Sequence, residues 1–118
     1  MCRVLVVDDN ADAADSLAAL LELLGHETRL ARDGEQAIET ARVFAPDVIL
    51  MDIGLPRMDG IETARRIRQL STTTLPRIVA LSGWAHEADP RSRAAGIDLH
   101  LVKPVELERL KQVLEERC

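Results

Sequence analysis

The sequence predicts an α/β fold, a doubly wound five-stranded parallel sheet with five helices. Two observations carry that expectation. Short aliphatic or β-branched runs alternate with longer amphipathic stretches along the whole chain. The longest of those runs are apolar without interruption, as strands covered by helices on both faces must be. At 118 residues the chain has room for one domain, taken as residues 1–118. A chain of that length buries roughly two-thirds of its unfolded surface, enough for a core without disulfide or metal support.

The first strand is Arg3-Val4-Leu5-Val6-Val7, broken sharply by Asp8-Asp9-Asn10. Leu17, Leu20, Leu21 and Leu24 then fall at i, i+3, i+4 and i+7, one stripe of a helix that Gly25 stops. A weaker second strand covers Glu27 to Ala31. Asp33-Gly34 supplies a turn and an N-cap for a helix marked by Ala37, Ile38, Ala41 and Phe44 and closed by Pro46. Asp47 to Asp52 forms the third strand, and the breaker-rich loop Gly54 to Gly60 follows it. Ile61, Ala64 and Ile67 mark a third helix whose Arg65, Arg66 and Arg68 read as a solvated basic face. After the polar connector Ser71 to Pro76 comes a fourth strand, Arg77 to Ser82. Asp89-Pro90 opens a short fourth helix that Gly96 ends. Asp98 to Val102 is the last strand, and Leu107, Leu110 and Leu114 line the last helix.

Composition narrows the function classes. The net charge of −5 argues against nucleic-acid binding, because a phosphate backbone demands a basic face. The longest purely apolar run, Leu17 to Leu21, is far short of a membrane span, and the N-terminus lacks the pattern of a signal peptide. No membrane contact is expected, and the expected location is the cytoplasm. Cys2 and Cys118 sit at the extreme ends and are expected to be free thiols in a reducing compartment.

In a parallel sheet every strand points the same way, so the residues just after each strand share one rim, where ligands bind. Asp8 and Asp9 follow the first strand, Asp52 closes the third, Ser82 the fourth, and Lys103 follows the fifth. One like-charge pair at 4 Å and an effective dielectric of about 20 costs on the order of 4 kcal/mol. Lys103 offsets one carboxylate of three. The remaining demand is for a hard divalent cation, and an all-oxygen donor set points to Mg²⁺. Since Mg²⁺ usually completes its shell with substrate phosphate, the rim reads as a phosphoryl-handling site.

The motifs here resemble those of response-regulator receiver domains. Val4-Leu5-Val6-Val7-Asp8-Asp9-Asn10 is similar to the family's opening, and Ile49 to Gly60 to its acceptor strand and loop. Ala80-Leu81-Ser82-Gly83 and Leu101-Val102-Lys103-Pro104-Val105 match its two later motifs, in the family's order and spacing. The resemblance implies a flavodoxin-like sheet in the order 2-1-3-4-5. It makes Asp52 the acceptor of a phosphoryl group from a histidine kinase or a histidine phosphotransfer domain, and the chain a phosphoacceptor rather than an enzyme on other substrates. It makes Asp9 a direct Mg²⁺ ligand, Asp8 its water-mediated neighbour, and Asp52 and the Gly54 carbonyl the remaining protein ligands. Ser82 becomes the hydroxyl that moves onto the phosphoryl oxygen, and Lys103 the counter-ion. The Lys103-Pro104 bond is expected to be cis, while Pro56 and Gly60 shape the acceptor loop. A monomer or weak dimer is expected.

Phosphorylation replaces a carboxylate by a group of roughly −1.5 to −2 charge, biasing two pre-existing states. In the family an aromatic on the last strand then swings inward, and the face of the fourth helix, last strand and last helix changes partners. The position that commonly holds that ring, three before the lysine, is His100. Two readings of it stand: a rotating ring with added pH dependence, or a half-exposed strand residue without a switch role. Trp84, next to Gly83 at the mouth of the rim, is expected to shield the acyl phosphate, with Gly54 leaving its side open. The segments Ser82-Gly83-Trp84 and His100 to Val105 look like those of receivers fused to hybrid sensor kinases; a freestanding regulator is the alternative. A phosphatase of the haloacid-dehalogenase type would place its nucleophile after the first strand with a second Asp two residues on, where this chain has Asn10. A pseudo-receiver typically lacks the acidic pair, the acceptor or the lysine, all present here.

Overall fold

The computed structural model describes residues 1–53, 59–70, 76–83 and 94–118. Its five strands are β1 (Arg3–Val7), β2 (Glu27–Ala31), β3 (Val48–Asp52), β4 (Arg77–Ser82) and β5 (Leu99–Val102). They form one sheet, ordered β2-β1-β3-β4-β5, with every neighbouring pair parallel. Four helices are described: α1 (Ala11–Leu23), α2 (Gly34–Phe44), α3 (Gly60–Arg68) and α4 (Leu107–Arg117). The short helix expected from Asp89-Pro90 lies largely on residues 84–93, outside the described ones, so α4 corresponds to the last predicted helix.

Side chains of successive strand residues point to opposite faces, and the burial follows that period of two. Leu5, Val7, Ile49, Met51, Ile78 and Ala80 pack with Ala37, Ala41, Ala64 and Ile67 of α2 and α3. Val4, Val6, Val48, Leu50, Val79 and Leu81 pack instead with Ala14 and Leu21 of α1 and Leu110, Val113 and Leu114 of α4. Both layers are dry, which is why β1 and β3 read as unbroken apolar runs rather than alternating ones.

The helix ends obey the local chemistry. Asn10, Asp33 and Asp59 cap α1, α2 and α3, their side chains accepting from the backbone N–H groups of Ala13, Gln36 and Glu62 at 3.0, 2.8 and 2.8 Å. Gly25, at φ +92°, follows the C-cap of α1 in the left-handed region that glycine adopts without penalty. Ala45, ahead of Pro46, takes φ 50° at the end of α2.

Two expectations from the sequence need correction. Arg65 and Arg66 do lie on the surface, both paired with Glu62, and these guanidiniums pull its pKa down to about 2. Arg68 does not join them. Its guanidinium donates to the Gly96 carbonyl at 2.8 and 3.1 Å, to the Pro76 carbonyl at 2.6 Å and to Asp98 at 2.8 Å. Asp98 also accepts the backbone N–H of Ile78 at 2.9 Å. The five-donor fork of arginine therefore ties the end of α3 to the entrances of β4 and β5. The cysteines are not free thiols either: Cys2 and Cys118 are joined as a disulfide, with Cα atoms 5.6 Å apart. The start of a central strand and the end of the last helix meet at the same pole, so residues separated by 116 positions become neighbours.

Gly60 opens α3 close against the end of β3. A Cβ there would stand 2.9 Å from both the Asp52 carbonyl oxygen and the Ile53 Cα. Backbone atoms of a buried strand end cannot yield as a flexible side chain does. Gly60→Ala is therefore expected to cost about 1–3 kcal/mol, the usual range for overpacking. Urea denaturation checks this: the midpoint falls while the slope is unchanged.

Candidate functional site

Parallel pairing aligns the carboxyl ends of the strands. Val7 pairs with Met51, Asp52 with Leu81, and Ser82 with Val102, so the residues at or just past these positions emerge along one edge. Asp8, Asp9, Asp52, Ser82 and Lys103, drawn from four strand ends, meet there. Asp8, Asp9 and Asp52 each bring a carboxylate oxygen within 4.8 Å of the others. The Lys103 Nζ stands 3.3 Å from Asp52 Oδ2 and 3.6 Å from Asp8 Oδ2, bridging two of the three carboxylates.

Burial differs among the acids in a useful way. Asp8 is only 6% exposed, Asp52 is half-buried, and Asp9 faces solvent. A buried carboxylate needs hydrogen bonds as well as a cation. Asp8 Oδ1 accepts the backbone N–H of Asn10 at 3.0 Å, and the Asp8 N–H donates to the Ala31 carbonyl at 3.0 Å. Asn10 thus serves twice, capping α1 with its side chain and steadying Asp8 with its backbone. Sequence reading assigned Asn10 no role, although an Asn ahead of an amphipathic stripe is itself an N-cap signal.

The rest of the rim is held by the backbone. The N–H of Lys103 donates to the Ser82 carbonyl at 2.7 Å, clamping β5 to β4 where their polar residues emerge. Ser82 is 7% exposed, and Gly83 beside it is open, with nothing within 4 Å of where a Cβ would stand. The Lys103-Pro104 bond is cis, as expected. His100 is half-buried on β5, paired across the sheet with Ala80. The Gly60 N–H donates to the Ile53 carbonyl at 3.0 Å, joining the start of α3 to the residue after β3. Gly54, Pro56 and Trp84 lie outside the described residues.

The donor set fits a hard cation. Three carboxylates within a few ångströms, one of them solvent-facing, offer only oxygen, and the single ammonium leaves net negative charge among them. Among the described residues no helix is long and apolar enough to cross a membrane.

Comparison with known proteins gives the same picture. The sensor histidine kinase RcsC of Salmonella typhi is 39% identical over 111 residues, 94% of this chain but 12% of RcsC. The response regulator MprA of Mycolicibacterium vanbaalenii is 34% identical over 108 residues, 92% of this chain and 46% of MprA. The chain thus spans about an eighth of the one relative and less than half of the other. Among solved structures, the receiver domain of the sensor histidine kinase PA1611 from Pseudomonas aeruginosa, with a magnesium ion coordinated in its active-site cleft, superposes with a TM-score of 0.87. It is 32% identical, with 98% of this chain and 96% of that one covered. The sequence profile of the response regulator receiver domain matches residues 4–115, and the chain belongs to that family.

Proposed function

We propose that this receiver takes a phosphoryl group onto Asp52 from a phosphohistidine of a histidine kinase or a histidine phosphotransfer domain. The observation that carries the reading is the Lys103 ammonium 3.3 Å from Asp52 Oδ2, within a cluster of three carboxylates. An oxygen of Asp52 attacks phosphorus, the P–O bond forms as the P–N bond to the donor imidazole breaks, and the imidazole leaves neutral after protonation. Lys103, already poised between Asp52 and Asp8, offsets the charge that arrives. Ser82, at the end of β4, donates its hydroxyl to a phosphoryl oxygen. Asp8, Asp9, Asp52 and the Gly54 carbonyl would hold Mg²⁺, which would supply neutralisation of the phosphoryl oxygens. The unit is residues 1–118, acting in the cytoplasm as a phosphoacceptor that catalyses only its own modification.

Identity to RcsC supports a place inside a hybrid sensor kinase. The match to MprA favours a second reading, a receiver belonging to a response regulator. Both use the same acceptor chemistry.

Incubation with acetyl phosphate and Mg²⁺, followed by mass spectrometry of the trapped adduct, tests the assignment. The wild type gains one phosphoryl group on Asp52, and Asp52→Asn gains none. An adduct on Asp8 would replace this reading with a phosphatase-type nucleophile.

Trp84, placed by family resemblance at the mouth of the site, restricts water. Trp84→Ala is expected to speed autodephosphorylation by about tenfold, equivalent to ~1.4 kcal/mol off the barrier. An unchanged decay of the phosphorylated protein removes Trp84 from that role.

Switching runs through β5 and the helices beside it. His100 is half-buried on β5, whose neighbouring residue Leu101 packs with α4, and reorientation of the His100 ring couples the phosphoryl group to α4 through that strand. Hydrogen exchange measured with and without beryllofluoride and Mg²⁺ checks this. The wild type changes protection along α4 and His100→Ala loses most of that change; equal responses assign the switch elsewhere.

A further inference from the structure

The pole of the sheet opposite the acceptor rim holds a second group of ligating side chains. Cys2 lies just before β1, Cys118 just after α4, and His26 between α1 and β2. One ligand atom from each lies within 4.8 Å of the other two. Cys2 is buried, His26 half-buried and Cys118 exposed. A cavity of about 300 Å³, lined by His26, Lys111, Leu114, Glu115 and Cys118 among others, adjoins them.

We propose that, once its disulfide is reduced, this pole is a zinc site formed by the sulfurs of Cys2 and Cys118 and the imidazole of His26. Two thiolates and an imidazole are a donor set that Zn²⁺ favours and Mg²⁺ does not, so the two poles of the domain select different metals. Bonds of about 2.0–2.3 Å put tetrahedral zinc ligands roughly 3.3–3.8 Å apart, so the two sulfurs part from bonding distance once the disulfide is reduced. Cys118, exposed beyond the last turn of α4, is placed to make that movement. The cavity leaves the fourth position open to water.

His26 is already oriented for the task. Its Nδ1 accepts the backbone N–H of Cys2 at 3.0 Å, fixing the ring against the strand end that carries the buried sulfur. Burial, with the α-amino charge nearby, lowers its pKa from the usual histidine value and favours the neutral form a metal requires. Coordination exchanges that N–H for the metal at the same nitrogen, while the other ring nitrogen keeps its proton.

The disulfide and the metal exclude one another, because sulfur bonded to sulfur is no longer a thiolate ligand. Two equivalents of a low-molecular-weight thiol convert the disulfide into two thiols and leave as their own disulfide. Zn²⁺ then displaces both thiol protons. The site is therefore gated by redox state and is independent of the phosphoryl chemistry at Asp52.

Cobalt(II) is the probe. Reduced protein freed of excess reductant is expected to show a sulfur-to-cobalt charge-transfer band that saturates at one equivalent and is bleached by zinc, while oxidised protein shows none. Cobalt in the pocket of Asp8, Asp9 and Asp52 has only oxygen ligands and gives no such band. Cys118→Ser, at an exposed position that leaves the fold intact by circular dichroism, is expected to lose the band. His26→Ala weakens binding by roughly tenfold or more. Absence of the band in the reduced wild type overturns the proposal. So does an undiminished band in Cys118→Ser, or unchanged affinity in His26→Ala.

Discussion

Mutual repulsion among Asp8, Asp9 and Asp52 is the constraint around which the rest of the domain is arranged. Three carboxylates gathered within a few ångströms disfavour the folded state unless positive charge and hydrogen bonds accompany them. The fold answers with Lys103 from the far end of the chain and with the backbone N–H of Asn10. A residual negative field remains, and that field suits the pocket to a divalent cation. Stability given up at the rim is recovered in the two apolar layers below, where alternating residues of the strands reach the helices on either side.

Those layers also decide how tightly each strand is held. Residues of β3 and β4 alternate between the two clusters, so neither strand can shift without disturbing both. β5 differs, with only Leu101 fully buried, and His100 and Leu99 half-covered. It is an edge strand, less embedded than β3 and β4, and it carries the backbone clamp from Lys103 to Ser82. A change at the pocket finds its easiest outlet there.

Much of this was legible in the residues. Alternating apolar runs and amphipathic stripes gave the sheet and helices, and parallel topology alone gathered Asp8, Asp9, Asp52, Ser82 and Lys103. What escaped depends on distances that sequence order conceals. Arg68 reads with Arg65 and Arg66 as one basic run, and only packing reveals that it reaches the Pro76 and Gly96 carbonyls. Cys2 and Cys118 look like unrelated terminal residues until the first strand and last helix are laid side by side. The need for glycine at position 60 comes from a backbone approach of 2.9 Å, which no periodicity encodes.

The Arg68 fork has a mechanical consequence. By gripping two carbonyls and the Asp98 carboxylate at once, it pins the amino-terminal ends of β4 and β5 to the close of α3. A strand held at one end and loaded at the other pivots rather than slides. Of the two ends of β5, the one beside Asp98 is therefore the more tightly fixed to α3. The guanidinium is thus the fulcrum of a lever whose other end lies at the rim that holds Lys103 and Asp52.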